Sequence, residues 1–311
     1  MSSGSAGYGK VTVLLSTHNG SIFLREQLDS LYQQTYPNVR ILVRDDGSID
    51  STRNLLEEEH VKGRIALLQG HSNLGAASSF FELLKNAAAN KAEYVAFCDQ
   101  DDVWDPEKVA RAALRLAAVP SDHPAMYCSR VEVVDERLAH IGYTMPPRKI
   151  GFGNALVECV TTGCTIVLNR AAVRLLGKNL PISGVMHDWW CYLVVSCFGE
   201  IIYDSTATLK YRQHGNNAIG LAGNIYIQFF RRCHRFFGGC GGHLRMSTQA
   251  SRFLSIFKDR VPVSNRQILV DFIAAKSSWY RRLQLALSSD IWRQKWSDNL
   301  LLRLLILINR Y

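Results

Sequence analysis

Blocks of apolar and polar positions alternate along the first third of the chain, and each block has the length of one strand or one helix. Residues 11–17 (VTVLLST) are a nearly continuous run of β-branched and aliphatic side chains, which is typical of a strand buried on both faces of a parallel sheet. The apolar positions that follow recur at helical spacing as far as Tyr32, and Pro37 ends that helix. The cycle repeats, with strands predicted at 39–43, 64–69 and 94–98 and helices at 50–60 and 76–89. This order of elements predicts a doubly wound α/β sheet.

The second half of the chain has a different pattern. After a helix that opens at Pro106, the apolar runs predict strands at 125–134 and 161–168, a helix at 185–198 and two short strands within 200–214. Beyond Gly220 the sequence becomes rich in arginine and aromatic residues. Its pattern predicts helices at 225–237, 248–257, 266–286 and 291–310 and a glycine-rich loop at 238–242. We therefore predict a flexible N-terminus (1–10), a mixed α/β catalytic domain (11–220) and a helical C-terminal region (221–311).

Charge separates these regions further. The chain of 311 residues carries 36 Lys and Arg against 27 Asp and Glu, a net charge of +9. Residues 221–311 hold 15 of the basic and 4 of the acidic side chains, net +11, which leaves −2 for residues 1–220. A basic region beside a near-neutral unit indicates contact with an anionic surface, either membrane phospholipid or nucleic acid. The sequence lacks the aromatic, finger and zipper signatures of nucleic-acid-binding modules.

Two segments bear on location. The first ten residues are small and polar, unlike a signal peptide. The apolar stretch 300–308 is shorter than the roughly 20 residues needed to span a bilayer. These features predict a cytoplasmic protein that touches a membrane from one side.

Polar clusters follow each of the first four predicted strands. In parallel α/β sheets the ligand site lies beyond the carboxyl ends of the strands, so these clusters are the candidates for chemistry. They are Ser16-Thr17-His18-Asn19, Arg44-Asp45-Asp46-Gly47-Ser48, Ser72-Asn73-Leu74-Gly75 and Asp99-Gln100-Asp101-Asp102.

The fourth cluster places three carboxylates within four residues. Such groups repel one another unless a cation is present. Oxygen-only ligands suit Mg²⁺ or Mn²⁺, which would bridge the protein to a diphosphate, so we predict a metal site at Asp101 and Asp99. The alternative is a solvated acidic turn that caps the helix opening at Pro106.

The order of these clusters resembles family 2 glycosyltransferases of the GT-A fold over roughly residues 10–215. Within that family the later motifs resemble bacterial rhamnosyltransferases that build surface polysaccharides. These motifs are Asp-Gln-Asp-Asp with Trp104 and Pro106, then His187-Asp188-Trp189-Trp190, then Tyr211-Arg212-Gln213-His214 with Asn216-Asn217.

The resemblance implies a nucleotide-sugar pocket at the sheet edge. Asp46 would accept a hydrogen bond from the imide N–H of a pyrimidine base, with an ordinary Asp-Gly turn as the alternative. His214 would complete the metal site with Asp99 and Asp101, with Arg212 as a competing phosphate contact. The remaining candidate contacts to the nucleotide sugar are Thr17, His18, Asn19, Asn73, Asp99 and Gln100.

Asp188 is the candidate catalytic base. It would take the proton of the acceptor hydroxyl as that oxygen attacks the anomeric carbon, and its alternative role is to cap the helix that starts there. The family has Glu-Asp where this chain has His187-Asp188, which leaves the role of His187 open. Trp189 and Trp190 would stack on an acceptor sugar or lie in the core.

The resemblance implies an inverting glycosyltransferase that moves L-rhamnose from dTDP-β-L-rhamnose to a hydroxyl of a polysaccharide or lipid-linked glycan, in lipopolysaccharide or related cell-envelope synthesis. A UDP-hexose donor is the main alternative. A nucleotidyltransferase is disfavoured because Ser16 to Gly20 lacks a basic phosphate loop. A non-enzymatic scaffold on a membrane or nucleic acid is the remaining alternative. A lipid-linked acceptor favours the inner face of the plasma membrane, and no nucleic acid, as the partner of the basic region.

Overall fold

The computed structural model describes residues 9–70, 72–181, 184–214 and 245–311. These residues fall into two compact units that exchange segments along the chain. The first unit takes in residues up to 145, 161–180 and 202–212, and the second takes in 146–160, 181–201 and 213 onwards.

A mixed sheet forms the centre of the first unit. Its strands are β1 (Val11–Thr17), β2 (Val39–Asp45), β3 (Ala66–Leu67), β4 (Tyr94–Cys98), β5 (Val103–Trp104), β6 (Ala125–Val134), β7 (His140–Tyr143), β8 (Val167–Asn169) and β9 (Glu200–Arg212). They lie in the order β3-β2-β1-β4-β8-β6-β9-β5, with β7 paired to β6. The pairs β1/β2, β1/β4 and β2/β3 are parallel, whereas β8 is antiparallel to both β4 and β6. The predicted doubly wound start and mixed continuation are therefore present.

Helices occur in both units. They are α1 (Leu24–Tyr32), α2 (Thr52–Val61), α3 (Ala76–Ala89), α4 (Lys108–Ala117), α5 (Phe152–Ala155), α6 (Arg170–Gly177), α7 (His187–Phe198), α8 (Met246–Phe257), α9 (Val263–Ala274), α10 (Trp279–Leu287) and α11 (Trp296–Leu307).

Four sequence predictions differ from the observed elements. The strand predicted at 64–69 shrinks to β3, and that at 161–168 becomes a 3₁₀ turn (Gly163–Thr165) followed by β8. The two short strands predicted in 200–214 are the single strand β9, and the helix predicted at 266–286 divides into α9 and α10. Short apolar runs do not distinguish a strand from a turn, because only the neighbouring strand decides whether their backbone is paired. The predicted helix 225–237 and glycine loop 238–242 lie outside the described residues.

Strand register brings the carboxyl ends of the parallel strands together. In β1, Thr17 lies opposite Asp45 of β2, and Leu15 lies opposite Cys98 of β4. Val11, Val13, Leu14 and Leu15 are fully buried, as expected for a central strand covered on both faces. The polar residues that follow these strands therefore share one edge of the sheet.

The second unit is organised around α7, whose residues are apolar on most sides. Trp190 is fully buried, with ring centroids of Phe253 and Phe257 at 5.9 and 6.3 Å. The side-chain amide of Asn265 donates to the carbonyl of Cys197 at 3.0 Å. The sequence predicts that segments 146–160 and 181–201 are part of the 11–220 domain. The structure instead groups them with the C-terminal helices in the second unit. The physical reason is that a helix that is apolar on most sides, such as α7, needs apolar partners around it. Within the described ranges, no helix combines the length and the apolar character that a membrane crossing requires.

Candidate active site

The ends of β1 and β2 are tied together by short hydrogen bonds. The Thr17 hydroxyl donates to Asp45 Oδ1 at 2.9 Å, and the backbone N–H of Asp46 donates to the carbonyl of Thr17 at 2.7 Å. Asp45 also accepts from the backbone N–H of Ser48 at 2.9 Å and from the Arg53 guanidinium at 3.0 Å. Burial alone would raise the pKa of Asp45, but these donors hold it below its usual value. Thr17 and Asp45 therefore shape this edge as a rigid turn.

Gln100 joins the end of β4 to the end of β1. Its Oε1 accepts from the backbone N–H of His18 at 2.8 Å, and its Nε2 donates to the His18 carbonyl at 3.1 Å. Gly20 permits this approach, because a Cβ at that position would lie 2.2 Å from Gln100 Oε1. In this structure the Gln100 amide positions His18, and its predicted contact to the nucleotide sugar stays a prediction.

The side chains of His18, Asn19 and Asn73 form an exposed polar rim at this edge. His18 Nδ1 lies 3.1 Å from the carbonyl oxygen of Asp46 and 3.4 Å from Asn73 Nδ2. Asn19 has a φ of 49° and accepts from the backbone N–H of Ile49 at 2.8 Å, a backbone geometry that asparagine tolerates better than most residues. The structure thus gathers three of the predicted nucleotide-sugar contacts in one place.

Asp46 lies under this rim and is buried. Its carboxylate accepts the backbone N–H groups of Leu74 and Gly75, each at 2.8 Å, and pairs with the Arg44 guanidinium. These contacts link the turn after β2 to the start of α3. A carboxylate has about four acceptor positions, and among the contacts of the described residues Oδ2 accepts only from Gly75. Because Asp46 is as buried as Arg212, these contacts match its alternative role as a structural residue of the turn, and the base-binding role stays a prediction.

The acidic turn after β4 contains carboxylates in different environments. Asp99 and Asp101 are partly exposed, whereas Asp102 is fully buried. Burial, followed by the neighbouring Asp101 and Asp99, raises the pKa of Asp102 well above its usual value. Asp102 Oδ1 lies 3.3 Å from the backbone nitrogen of Arg212. Asp102 is therefore a structural member of the turn, and Asp99 and Asp101 remain the side chains open to solvent.

The donor set of the turn bears on the predicted metal. Among the described residues, potential ligand atoms of Asp99, Asp102 and Cys164 lie within 4.8 Å of one another. Burial raises the pKa of the Cys164 thiol well above its usual value, so Cys164 is a poor ligand for a hard cation. The partly exposed carboxylates of Asp99 and Asp101 have the oxygen chemistry that Mg²⁺ or Mn²⁺ prefers. The predicted residues therefore fit such an ion, whereas the observed cluster of three differs from the predicted set.

Arg212 occupies a different environment from the one predicted. Its guanidinium is only 2 % exposed and donates to the carbonyls of Asp101 and Glu136 and to the carboxylate of Glu26. Protein acceptors therefore engage all three of its nitrogens. We assign Arg212 to positioning the acidic turn against β9 instead of to contacting phosphate.

Two buried cations beneath this edge were not among the predicted site residues. Arg44 follows the apolar part of β2 and donates to the carbonyl of Ser72 at 3.0 Å in addition to Asp46. Lys108 is fully buried, its Nζ lies 4.1 Å from the ring centroid of Trp104, and burial lowers its pKa to about 8. A basic residue at the end of a buried strand or on the apolar side of a helix is the sequence signal that would have indicated both.

Asp188 lies in the first turn of α7, in the second unit, and is partly exposed. Burial raises the pKa of Asp188 to about 6, although the backbone N–H of Trp189 donates to its Oδ1 at 2.7 Å. A carboxylate with a pKa near 6 is mostly ionised at neutral pH and is a stronger base than an ordinary aspartate. His187 beside it is buried, which lowers its pKa to about 3 and keeps its imidazole neutral.

The two tryptophans of α7 have separate environments. Trp190 is fully buried against aromatic rings, so we place it in the core and no longer among the acceptor contacts. Trp189 is partly exposed, and its indole N–H donates to the carbonyl of Ala155 at 2.7 Å. Trp189 therefore remains the candidate acceptor contact. His214 also belongs to the second unit, and its metal role stays a prediction.

Comparison with known sequences gives the family likeness independent support. The sequence pattern of the family described as Glycosyl transferase family 2 matches residues 12–174, more than half of the chain. The dTDP-rhamnosyl transferase RfbG of Shigella flexneri is 28% identical over 222 residues, which are 66% of this chain and 73% of that protein. The UDP-Glc:alpha-D-GlcNAc-diphosphoundecaprenol beta-1,3-glucosyltransferase WfgD of Escherichia coli is 28% identical over 164 residues, which are 53% of this chain and 62% of that protein.

Solved structures share the fold. TarS residues 1–349 of S. aureus in complex with UDP-GlcNAc superpose with a TM-score of 0.58 and 20% identity, over 90% of this chain and 77% of that one. The mannosyltransferase PcManGT of Pyrobaculum calidifontis in complex with GDP-Man and Mn²⁺ gives a TM-score of 0.54 and 18% identity, over 90% and 73% of the two chains. At these identities the likeness concerns the fold, and it confirms the predicted GT-A architecture.

Proposed function

Since this chain belongs to glycosyl transferase family 2, we propose that it transfers L-rhamnose from dTDP-β-L-rhamnose to a hydroxyl of a polysaccharide or lipid-linked glycan. The observation that carries the choice of donor is the likeness to a dTDP-rhamnosyl transferase across two thirds of this chain. The polar rim of His18, Asn19 and Asn73, which follow β1 and β3, supports a nucleotide site at this edge of the sheet. Asp46 is the residue that we propose to bind the imide of thymine.

The proposed reaction is a single displacement with inversion. The Asp188 carboxylate takes the proton from the acceptor hydroxyl, and that oxygen forms a bond to the anomeric carbon while the bond from that carbon to the diphosphate oxygen breaks. The electron pair of the broken bond leaves with dTDP. A pKa of about 6 for Asp188 suits this role, because the group is ionised at neutral pH and basic enough to accept a proton.

Asp99 and Asp101, with His214 as a further candidate, would hold a divalent metal ion. When bound, such an ion neutralises charge on the leaving diphosphate. Gln100 and Arg212 support this region through backbone contacts: Gln100 fixes the His18 backbone, and Arg212 donates to the carbonyl of Asp101 at 2.9 Å. These residues hold the rim and the acidic turn in place before the donor binds.

A UDP-hexose donor is the second candidate. It is favoured by the likeness to a UDP-Glc-dependent glucosyltransferase. Uracil and thymine present the same imide N–H, so Asp46 does not distinguish the two nucleotides. For either donor, we place the protein at the cytoplasmic face of the plasma membrane, with the basic C-terminal region against its anionic lipids.

Thermal stabilisation of the purified protein tests the donor site directly, because a ligand that binds only the folded state raises the melting temperature. We expect dTDP with Mn²⁺ to stabilise the protein more than UDP or GDP, and Asp101→Asn to abolish the Mn²⁺-dependent part. Asp105→Asn, which changes a nearby aspartate outside the proposed site, is the matched control. Stronger stabilisation by UDP would indicate a UDP-sugar donor and would leave the proposed displacement mechanism unchanged. No response to any nucleotide would favour the non-enzymatic scaffold.

A further inference from the structure

One face of α11 is apolar and exposed along its whole length. Trp296, Leu300, Leu304 and Ile308, just past its last residue, are 76, 53, 52 and 58 % exposed. Side chains four residues apart lie on the same side of a helix, one turn above the other. We call these four residues the α11 apolar face.

The opposite side of the same helix is already buried. Leu302, Leu305 and Ile306 are at most 1 % exposed. The Arg303 guanidinium turns back to the carbonyls of Leu285 and Ile291, at 3.1 and 2.7 Å. Among the described residues, α11 therefore has one apolar side in the core of its unit and a second apolar side that is exposed.

No charged side chain belongs to the α11 apolar face, but basic residues stand at both of its ends. Lys295 directly precedes Trp296, and Arg310 follows Ile308 by two positions; both are exposed. Residues 245–311 hold 12 Lys and Arg against 4 Asp and Glu, a net charge of +8. An apolar stripe with an aromatic end and flanking cations is the composition of a helix that lies in a membrane interface.

We propose that α11 docks on an anionic lipid bilayer, with Trp296, Leu300, Leu304 and Ile308 at the boundary of head groups and acyl chains and Lys295 and Arg310 on lipid phosphates. The basic charge of this region selects an anionic membrane over a second copy of this chain, because two such faces would bring like charges together. The proposal deepens the membrane contact proposed above, and it rests on that proposal only for its biological setting.

Vesicle co-sedimentation of the full chain tests this without donor or acceptor. The probes are vesicles of phosphatidylcholine alone and of phosphatidylcholine with 30 mol% phosphatidylglycerol. We expect binding to the anionic vesicles only. Leu300→Gln/Leu304→Gln should lower the partition coefficient at least tenfold. Lys295→Glu/Arg310→Glu should also lower the partition coefficient, and the difference from the unchanged protein should become smaller as salt is added.

The matched control is Val61→Gln/Leu114→Gln, which changes two exposed aliphatic side chains (86 and 74 % exposed) in the first unit. It should bind like the unchanged protein, and the melting temperatures of all variants should agree, because every change is on the surface. Equal binding by the Leu300/Leu304 variant would overturn the proposal, as would equal binding to uncharged vesicles. A dimer in lipid-free solution that this variant dissociates would assign the face to a second copy instead. If the unchanged protein binds nucleotide but does not bind anionic vesicles, the membrane proposal fails while the proposed transferase activity stands.

Discussion

Replacing Asp188 by asparagine should stabilise the protein at neutral pH. Burial raises the pKa of Asp188 from 3.8 to about 6, so the folded state holds the proton more tightly than the unfolded state. The stability this gives is fully present below the unfolded pKa and is lost as the pH rises through about 6. At about 1.4 kcal/mol per pKa unit, the ionised group destabilises the folded state by up to about 3 kcal/mol at pH 7.

Asparagine does not ionise, so Asp188→Asn escapes this penalty while its side-chain oxygen still accepts the N–H of Trp189. We expect the free energy of unfolding in urea to rise by up to about 3 kcal/mol at pH 7 and to be nearly unchanged at pH 4. Asp298→Asn is the matched control, because it removes an aspartate from the first turn of another helix of the same unit.

The same substitution should lower the transfer rate by roughly 10²- to 10⁴-fold, the usual contribution of a general base. With a pKa of about 6, the ionised fraction of Asp188 grows from about 0.1 at pH 5 to about 0.9 at pH 7, so kcat/KM of the unchanged enzyme should rise about tenfold over that range. The residual kcat/KM of Asp188→Asn should not show this rise between pH 5 and pH 7.

A helix-capping role makes the opposite prediction. If Asp188 only caps α7, alanine in its place should lower the free energy of unfolding by about 0.5–2 kcal/mol, asparagine should change it little, and both variants should leave transfer intact. A variant that is less stable at pH 7 and fully active would therefore refute the assignment of Asp188 as the base.

Three further substitutions test other parts of the structure. Glu59 is buried and accepts hydrogen bonds from a tyrosine and two arginines; burial opposes ionisation, but these donors hold its pKa below the usual value. Glu59→Gln should therefore lower the free energy of unfolding by about 2 kcal/mol at pH 7, with the difference fading as the pH falls through that depressed pKa. Gly153→Ala would place a Cβ 1.7 Å from the carbonyl oxygen of Asp290, and urea denaturation should report a loss of at least about 1–3 kcal/mol. Gln100→Leu removes both bonds to the backbone of His18, so calorimetry should find dTDP affinity weakened by up to about tenfold with the melting temperature little changed; undiminished affinity would dissociate this bond pair from the nucleotide site.

The periodicity of apolar residues predicted the individual strands and helices whose formation depends on neighbouring residues in the chain. The run Val11–Thr17 and the helix at 76–89 have the periodicity of their elements, and both appear with the predicted bounds. The clusters after β1, β2 and β4 meet at one edge because these strands are parallel, which the strand-helix-strand order already implies. The division at residue 220 differs from the observed units, since the apolar sides of α7 are covered by α8, which lies some fifty residues further along the chain.

The sequence by itself determined which chemical groups this protein places at its sheet edge, since their order follows from the order of the strands. Only the tertiary structure decided which of those groups face solvent. Gln100 is engaged by His18, 82 residues away, and Arg212 by Glu26, 186 residues away. Burial and hydrogen-bond partners arise from segments that are distant in the chain, and a local pattern of residue types carries no record of which distant segment will cover it.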